Sequence, residues 1–307
     1  MNKNIERVAY FNGEILPESK VKVPFRDRGF KYGDAVFDMT RTFGHKIFKI
    51  KEHIDRLYES LKYLQIDPGI NKNEMIDQTN EVLLRNLPLI DAQEDYWVGQ
   101  RISRGVDLVG GEQWDIDGSS TVIIECAPLP LKPRASLYET GIEVRTPSIR
   151  RTPFQSMSPQ AKTHNYLNLI LADNEIKTIN PNIWAILLDL EGNLTEGMGS
   201  NIFLVKNNIL ITPKSQHILS GISRETVIEL ANEIDIPFEE KDVNHFDAIN
   251  ADEMFLTSTS LCICPVRKFN GQTIGNTVYG PTTKSLIKAY SSLVEFDFVA
   301  QYLNKLD

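Results

Sequence analysis

Apolar positions along the chain recur with two alternating periods, and the switches between them mark out its elements. In "VAYFNGEILPESKVKV" apolar and polar residues alternate on both sides of Asn12-Gly13, a dipeptide that readily takes positive φ, which predicts a hairpin. The segment "AVFDMTRTFGHKIFKI" predicts a second hairpin around Gly44-His45. From Lys51 the period lengthens. Ile54, Leu57, Leu61 and Leu64 share a helical face in "KEHIDRLYESLKYLQI", as do Met75, Val82 and Leu83 in "NKNEMIDQTNEVLLRNL". Strands return in "YWVGQRISRG" and "STVIIECAPL".

The Pro-rich "APLPLKPRA" then breaks the pattern, and we read residues 128–135 as a linker between an N-terminal domain, 1–127, and a C-terminal domain, 136–307. Beyond it "GIEVRT" predicts a strand and "NYLNLILADNEIKT" a helix with Tyr166, Leu169, Ile170 and Asp173 on neighbouring turns. "WAILLDLEGNLTEG" and "NIFLVKNNILITP" predict strands around turns at Gly192-Asn193 and Asn207-Asn208. "SRETVIELANEIDI" and "GPTTKSLIKAYSSLVEF" read as helices, and "EMFLTSTS" as a strand end. Because strands and helices do not alternate regularly, the expected fold class is α+β with two domains.

Length and composition narrow the function classes. A chain of 307 residues has room for two domains, and 41% hydrophobic with 24% charged residues is an ordinary globular mix. No apolar run approaches the roughly 20 residues that a membrane-spanning helix needs. The opening residues lack the apolar stretch of a secretory signal, so the expected location is the cytoplasm. A net charge of -8 without a basic patch argues against a nucleic-acid partner. The three cysteines, Cys126, Cys262 and Cys264, have no zinc or disulfide spacing, and the five histidines do not cluster, so no metal is expected. Cys262 and Cys264 read as small buried hydrophobes.

Glycine-rich dinucleotide loops, P-loops, His-Glu-x-x-His and Gly-x-Ser-x-Gly are all absent from the sequence. What remains is a series of segments in fixed order: "FRDRGFKYGDAVFDMTRTF", "KEHIDRLYESL", "QAKTHNYLNLILADNEI", "LDLEGNLTEGMGSNIFLV", "ILSGISRETVIELA", "ADEMFLTSTS" and "CPVRKFNGQTIGNTVYGPTTK". Together they resemble the class IV (fold type IV) pyridoxal-phosphate aminotransferases, the group of branched-chain aminotransferases, D-amino-acid transaminases and aminodeoxychorismate lyases. The resemblance covers nearly the whole chain. It implies the D-amino-acid aminotransferase-like fold, with pyridoxal 5'-phosphate at the domain junction.

The resemblance also implies roles. Lys162 would be the lysine that forms a Schiff base with the cofactor and shuttles the α-proton. Glu196 would face the pyridine nitrogen, and Tyr166 the phenolic oxygen. Arg56 would bind the phosphate, a partner that suits a charged bidentate donor. Ile222 and Ser223, opening a helix, would add amides and a favourable dipole, though a serine there is usually an N-cap. Ser258 and Thr259 would complete the cofactor site.

Substrate selection falls on Phe37, Met39, Arg41, Arg104 and Ser260. Where branched-chain enzymes generally show Phe-Glu-Gly, this chain has Phe37-Asp38-Met39. Arg104 matches half of an Arg-x-His carboxylate-binding pair, with Val106 in the histidine's place. Arg41, on the strand face of Phe37 and Met39, reads equally as a carboxylate partner and as a structural ion-pair arginine. The expected reaction moves an amino group between a branched-chain or related aliphatic amino acid and a 2-keto acid, 2-oxoglutarate or pyruvate. D-amino-acid or R-selective amine:pyruvate transamination is the alternative, and aminodeoxychorismate lysis a further one. The family also implies a homodimer whose 106–114 loop reaches the partner's active site.

Overall fold

The computed structural model describes residues 6–112 and 114–306. The chain divides into two compact units. The first runs to Leu129 and takes in Ala161–Asn165, and the second holds Pro130–Gln160 and continues from Tyr166.

In the first unit the chain forms β1 (Val8–Phe11), β2 (Glu14–Pro17), α1 (Arg28–Tyr32), β3 (Ala35–Phe43), β4 (Lys46–Ile47), α2 (Ile50–Leu64), α3 (Lys72–Asn86), β5 (Tyr96–Ser103), β6 (Val106–Asp107), β7 (Ile116–Asp117) and β8 (Thr121–Pro128). Six strands make one sheet in the order β2-β1-β8-β5-β3-β4, while β6 and β7 pair separately. Asn12 and Gly13 take φ of 48° and 102° at the first hairpin turn. Alternation sends Val36, Val98, Ile102, Val122 and Ile124 to one sheet face, where Ile54, Leu57 and Leu61 of α2 and Met75, Val82 and Leu83 of α3 bury them. Burying each such side chain stabilises the fold by about 1.5–3 kcal/mol, and a one-residue slip in register would expose them all. The opposite face carries Phe37, Met39, Trp97, Arg101, Ile123 and Glu125, all of intermediate exposure.

The second unit contains α4 (Leu131–Thr140), β9 (Ile142–Arg145), α5 (Leu167–Lys177), β10 (Trp184–Ala185), β11 (Asn201–Lys206), β12 (Ile209–Thr212), α6 (Ile222–Glu233), β13 (Phe238–Glu240), α7 (His245–Ile249), β14 (Glu253–Ser258), β15 (Cys262–Phe269), β16 (Gln272–Thr273), α8 (Pro281–Leu293) and α9 (Phe298–Leu303). Its mixed sheet runs β10-β9-β15-β14-β11-β12-β13, with β16 on β15. This is an α+β architecture.

Two expectations need correction. Residues 128–135 are not a linker throughout, because α4 begins at Leu131 with Pro133 in its first turn, where a missing N–H breaks no helical hydrogen bond. The strands expected over 184–197 reduce to β10 and the bridges Leu188↔Leu194 and Glu196↔Asn201. The expected helix forms as α5, with Leu169, Ala172, Asp173 and Ile176 buried and Ile170 exposed. No helix among the described residues is long and apolar enough to cross a membrane. Cys126, Cys262 and Cys264 are buried, and none is in a disulfide among the described residues.

Candidate active site

Within the first unit, Lys162 is fixed by its main chain. Its carbonyl accepts from the Phe37 amide at 3.0 Å, its own amide donates to Ser60 Oγ at 3.0 Å, and Val36 bridges Thr163. The Ala161–Asn165 segment thus borders β3 as a short extra rung. That anchoring puts Lys162 Nζ over the Phe37 ring, 4.6 Å from its centroid. His164, two residues on, meets the same ring edge-on at 5.4 Å. Burial and then the Arg101 charge push the His164 imidazole down to about 4, so it is neutral near pH 7.

On the helix-covered face lies a charged cluster that the sequence reading missed. Arg56 of α2 pairs with Asp38 through Nε to Oδ2 and Nη2 to Oδ1, both at 2.8 Å, and His53 Nδ1 lies 2.7 Å from Asp38 Oδ1. Burial alone would raise the Asp38 carboxyl, but Arg56 and His53 hold it well below the usual carboxylate range. Burial lowers the His53 imidazole despite its Asp38 neighbour. Arg56 is therefore a cation held in one orientation by two hydrogen bonds.

Two candidate substrate arginines have structural partners. Arg41, 1% exposed, faces Asp95 at 3.6 Å, donates from Nε to the Thr42 carbonyl and stacks on Phe43. Asp95 in turn accepts from Thr42 Oγ1 and the amides of Gly44 and His45, so Arg41 belongs to the β3–β4 turn. Arg104 grips both Asp34 oxygens at 2.7 and 3.0 Å and donates to the carbonyls of Leu64 and Gln65 at 2.8 and 3.0 Å. It satisfies the C-terminal carbonyls of α2. Both side chains are thus engaged by structural partners, the role left open for Arg41 alongside that of a carboxylate partner. Arg104→Leu is accordingly expected to destabilise the protein by about 2–4 kcal/mol, as charged hydrogen bonds are lost. Urea denaturation checks this, with the KM for substrates moving less than twofold. Phe37 and Met39 do lie on the half-exposed face with Lys162's ring contact, and Met39 covers Gly99, where an added Cβ would sit 2.7 Å from Met39 Cε.

In the second unit Glu196 is buried and held at both oxygens. Arg151 Nε donates to Oε1 at 3.0 Å and the Leu219 amide to Oε2 at 3.0 Å. Leu219 leads into the N-terminus of α6, so one short step joins the carboxylate to that helix. Gly221, not Ser223, is the N-cap and makes no side-chain cap bond. A Cβ at Gly221 would sit 2.1 Å from Asn201 Oδ1, so the close approach requires glycine. Ile222 and Ser223 form the first turn, with Ser223 buried and its Oγ 3.4 Å from the Tyr290 hydroxyl. Ser258 ends β14, and Thr259 and Ser260 form the turn into β15. Ser258 Oγ accepts from the Leu261 amide, and Arg134 donates to Ser260 Oγ. Arg134, Trp184, Met198, Gly199, Ser258 and Ser260 line a cavity of about 460 Å³. Tyr166 precedes α5 and packs on the cluster of Leu169, Ile176 and Ile183.

Arg151 and Arg134 were not legible as site residues, because both reach their partners across long sequence separations and neither sits in a distinctive local motif. The expected partner-reaching loop, 106–114, opens with β6 and includes Gln113, which lies outside the described residues.

Comparison with known proteins gives this geometry its context. The family model for class IV amino-transferases matches residues 35–269. A Methanocaldococcus jannaschii protein assigned as a branched-chain-amino-acid aminotransferase is 39% identical over 286 residues, covering 92% of this chain and 95% of that one. A D-alanine aminotransferase of Bacillus licheniformis is 29% identical, covering 92% of this chain and 96% of that one. The crystal structure of the branched-chain amino acid aminotransferase of Escherichia coli superposes with a TM-score of 0.86 at 28% identity, covering 94% of this chain and 95% of that one. The lysine-bearing rung on β3 and the buried Glu196 therefore sit in a chain that belongs to the class IV aminotransferases and has their fold type IV architecture, an enzyme that transfers an amino group between an amino acid and a 2-keto acid.

Proposed function

We propose that the protein uses pyridoxal 5'-phosphate to transaminate branched-chain or related aliphatic amino acids, with 2-oxoglutarate or pyruvate as acceptor. The observation that carries this reading is the Glu196 carboxylate, buried and oriented by Arg151 and the Leu219 amide beside an uncapped helix N-terminus. Identity to a branched-chain relative exceeds that to the D-alanine relative, which favours the aliphatic L-substrate over the D-amino-acid alternative.

The donor set fits the cofactor. The first turn of α6 has no side-chain cap, and the buried hydroxyls Ser200 Oγ and Thr257 Oγ1 have no partner among the described residues. Unsatisfied donors of this kind suit a phosphorylated ligand rich in acceptors. Glu196 would hold a proton on the pyridine nitrogen, with Arg151 keeping the carboxylate in place. Ile222, Ser223, Ser258 and Thr259 would bind the phosphate, with Arg56 as its positioned cation and Tyr166 at the phenolic oxygen. When bound, the cofactor supplies an electron sink for the Cα–H bond of the amino donor. Lys162 would take that proton on Nζ and return it one position away, which requires an uncharged amine at the moment of transfer. Phe37, Met39 and Ser260 would shape the substrate site.

A half-reaction panel tests this. Purified protein is given pyridoxal phosphate, its visible band recorded, and L-leucine, L-glutamate, D-alanine and (R)-1-phenylethylamine added separately. L-leucine and L-glutamate are expected to bleach the band at least about tenfold faster than the other two, a modest discrimination for a shaped pocket. No band at all defeats the cofactor reading, and faster bleaching by D-alanine or the R-amine transfers the assignment to the alternative.

A further inference from the structure

With Arg41 and Arg104 committed to the fold, one arginine on the lysine-proximal face of the first unit stands out. In the sheet, Phe37 pairs with Arg101 and Arg101 with Ile123, while Gly99 lies between Met39 and Glu125. The Arg101 guanidinium lies 5.4 Å from the centroid of the Phe37 ring that Lys162 Nζ also approaches. The two cations thus share a single phenyl group. Arg101 donates from Nε to Glu125 Oε1 at 2.7 Å, and the two side chains are 38% and 35% exposed. Glu125 is the one acceptor it has among the described residues. Four of its five N–H donors are therefore unspent, in a fork that matches a carboxylate. Half-exposed pairs of this kind are weak and easily exchanged. His164, on the same ring, is neutral and does not compete for an anion.

We propose that Arg101 is a specificity-determining residue that receives the side-chain carboxylate of a dicarboxylic substrate, with Glu125 as the partner it holds when the substrate is apolar. This rests on the transaminase reading, with Lys162 marking the reacting carbon. A substrate whose Cα lies at Lys162 and whose side chain crosses Phe37 brings a distal carboxylate to Arg101. With an aliphatic side chain, the Glu125 pairing leaves no cation uncompensated. One face then accepts both classes, and the absence of a side chain at Gly99 lets the Met39 side chain lie over that position beside Arg101.

The test compares wild-type holoenzyme with Arg101→Met, Arg101→Lys and Glu125→Gln, using 2-oxoglutarate and pyruvate as acceptors and glutarate as a non-reacting ligand followed by calorimetry. Arg101→Met is expected to lower the 2-oxoglutarate to pyruvate ratio of kcat/KM by about 10- to 100-fold, mainly through KM, and to weaken glutarate binding in parallel, the size set by a lost charged hydrogen-bonded pair. Arg101→Lys should recover part of that loss. Glu125→Gln should move the ratio the other way, because the competing anion is gone. A ratio unmoved in Arg101→Met, or equal losses with both acceptors, overturns the proposal while the transaminase reading stands. A wild-type enzyme that transaminates with neither acceptor overturns both.

Discussion

Lys162→Ala is expected to abolish amino-group transfer, with a loss of roughly 10⁴-fold or more, the upper end of what one acid–base group contributes. The protein should stay folded. What Lys162 gives the fold is main chain: its carbonyl accepts from Phe37 and its amide donates to Ser60, and alanine preserves both. One contact of the side chain is an amine resting on a phenyl ring, which contributes about 0.5–1 kcal/mol at a partly exposed site. Thermal melts should therefore nearly coincide, while L-leucine no longer bleaches the cofactor band. Normal turnover by the variant would remove Lys162 from the mechanism. A melt that collapses would show instead that the β3 rung depends on the lysine side chain.

The largest stability effect is expected from Asp38→Asn. This change leaves the Arg56 cation in the core without its counter-charge, and breaking a buried pair from one side costs about 3–5 kcal/mol. Asp38 also makes a specific pH signature. Its carboxyl titrates well below the usual range in the folded state, so its contribution is complete above the ordinary carboxylate value and is lost as pH falls through and below about 4. The gap in urea midpoint between wild type and Asp38→Asn should be constant from neutral pH down to about 5 and narrow below about 4. A gap that persists undiminished at lower pH would mean that the substituted amide fails for steric reasons rather than for want of charge.

Much of the first unit was legible because its signals are local. Asn12-Gly13 dictates a hairpin from two residues, and α2 and α3 declare themselves by apolar spacing within single helices. The misreadings share a different cause. Pro128, Pro130 and Pro133 look like a linker until Pro133 is seen in the first turn of α4, a position where proline is harmless. Arg41 and Arg104 are ordinary polar positions in sequence, and their assignments turn on Asp95 and on the α2 carbonyls, partners that only the fold supplies. Glu196 could be singled out by its motif, yet its orientation depends on Arg151, 45 positions away, and on an amide of the α6 approach. Local pattern thus names candidate chemistry, and long-range pairing decides which candidates are spent on structure.

The excursion of residues 161–165 back to the first unit limits how this protein can be taken apart or recombined. A gene cut at the obvious boundary after Leu129 separates Lys162 from the sheet that positions it. It also leaves the Phe37 amide and the Val36 edge without their partner segment. An exposed strand edge of this kind invites intermolecular pairing, so the isolated first half should aggregate unless 161–165 is supplied with it. During synthesis the same edge waits until the Lys162 segment has left the ribosome. Chimeras between relatives would need matched crossovers on both sides of 161–165, which makes the lysine and its β3 seat a single heritable module.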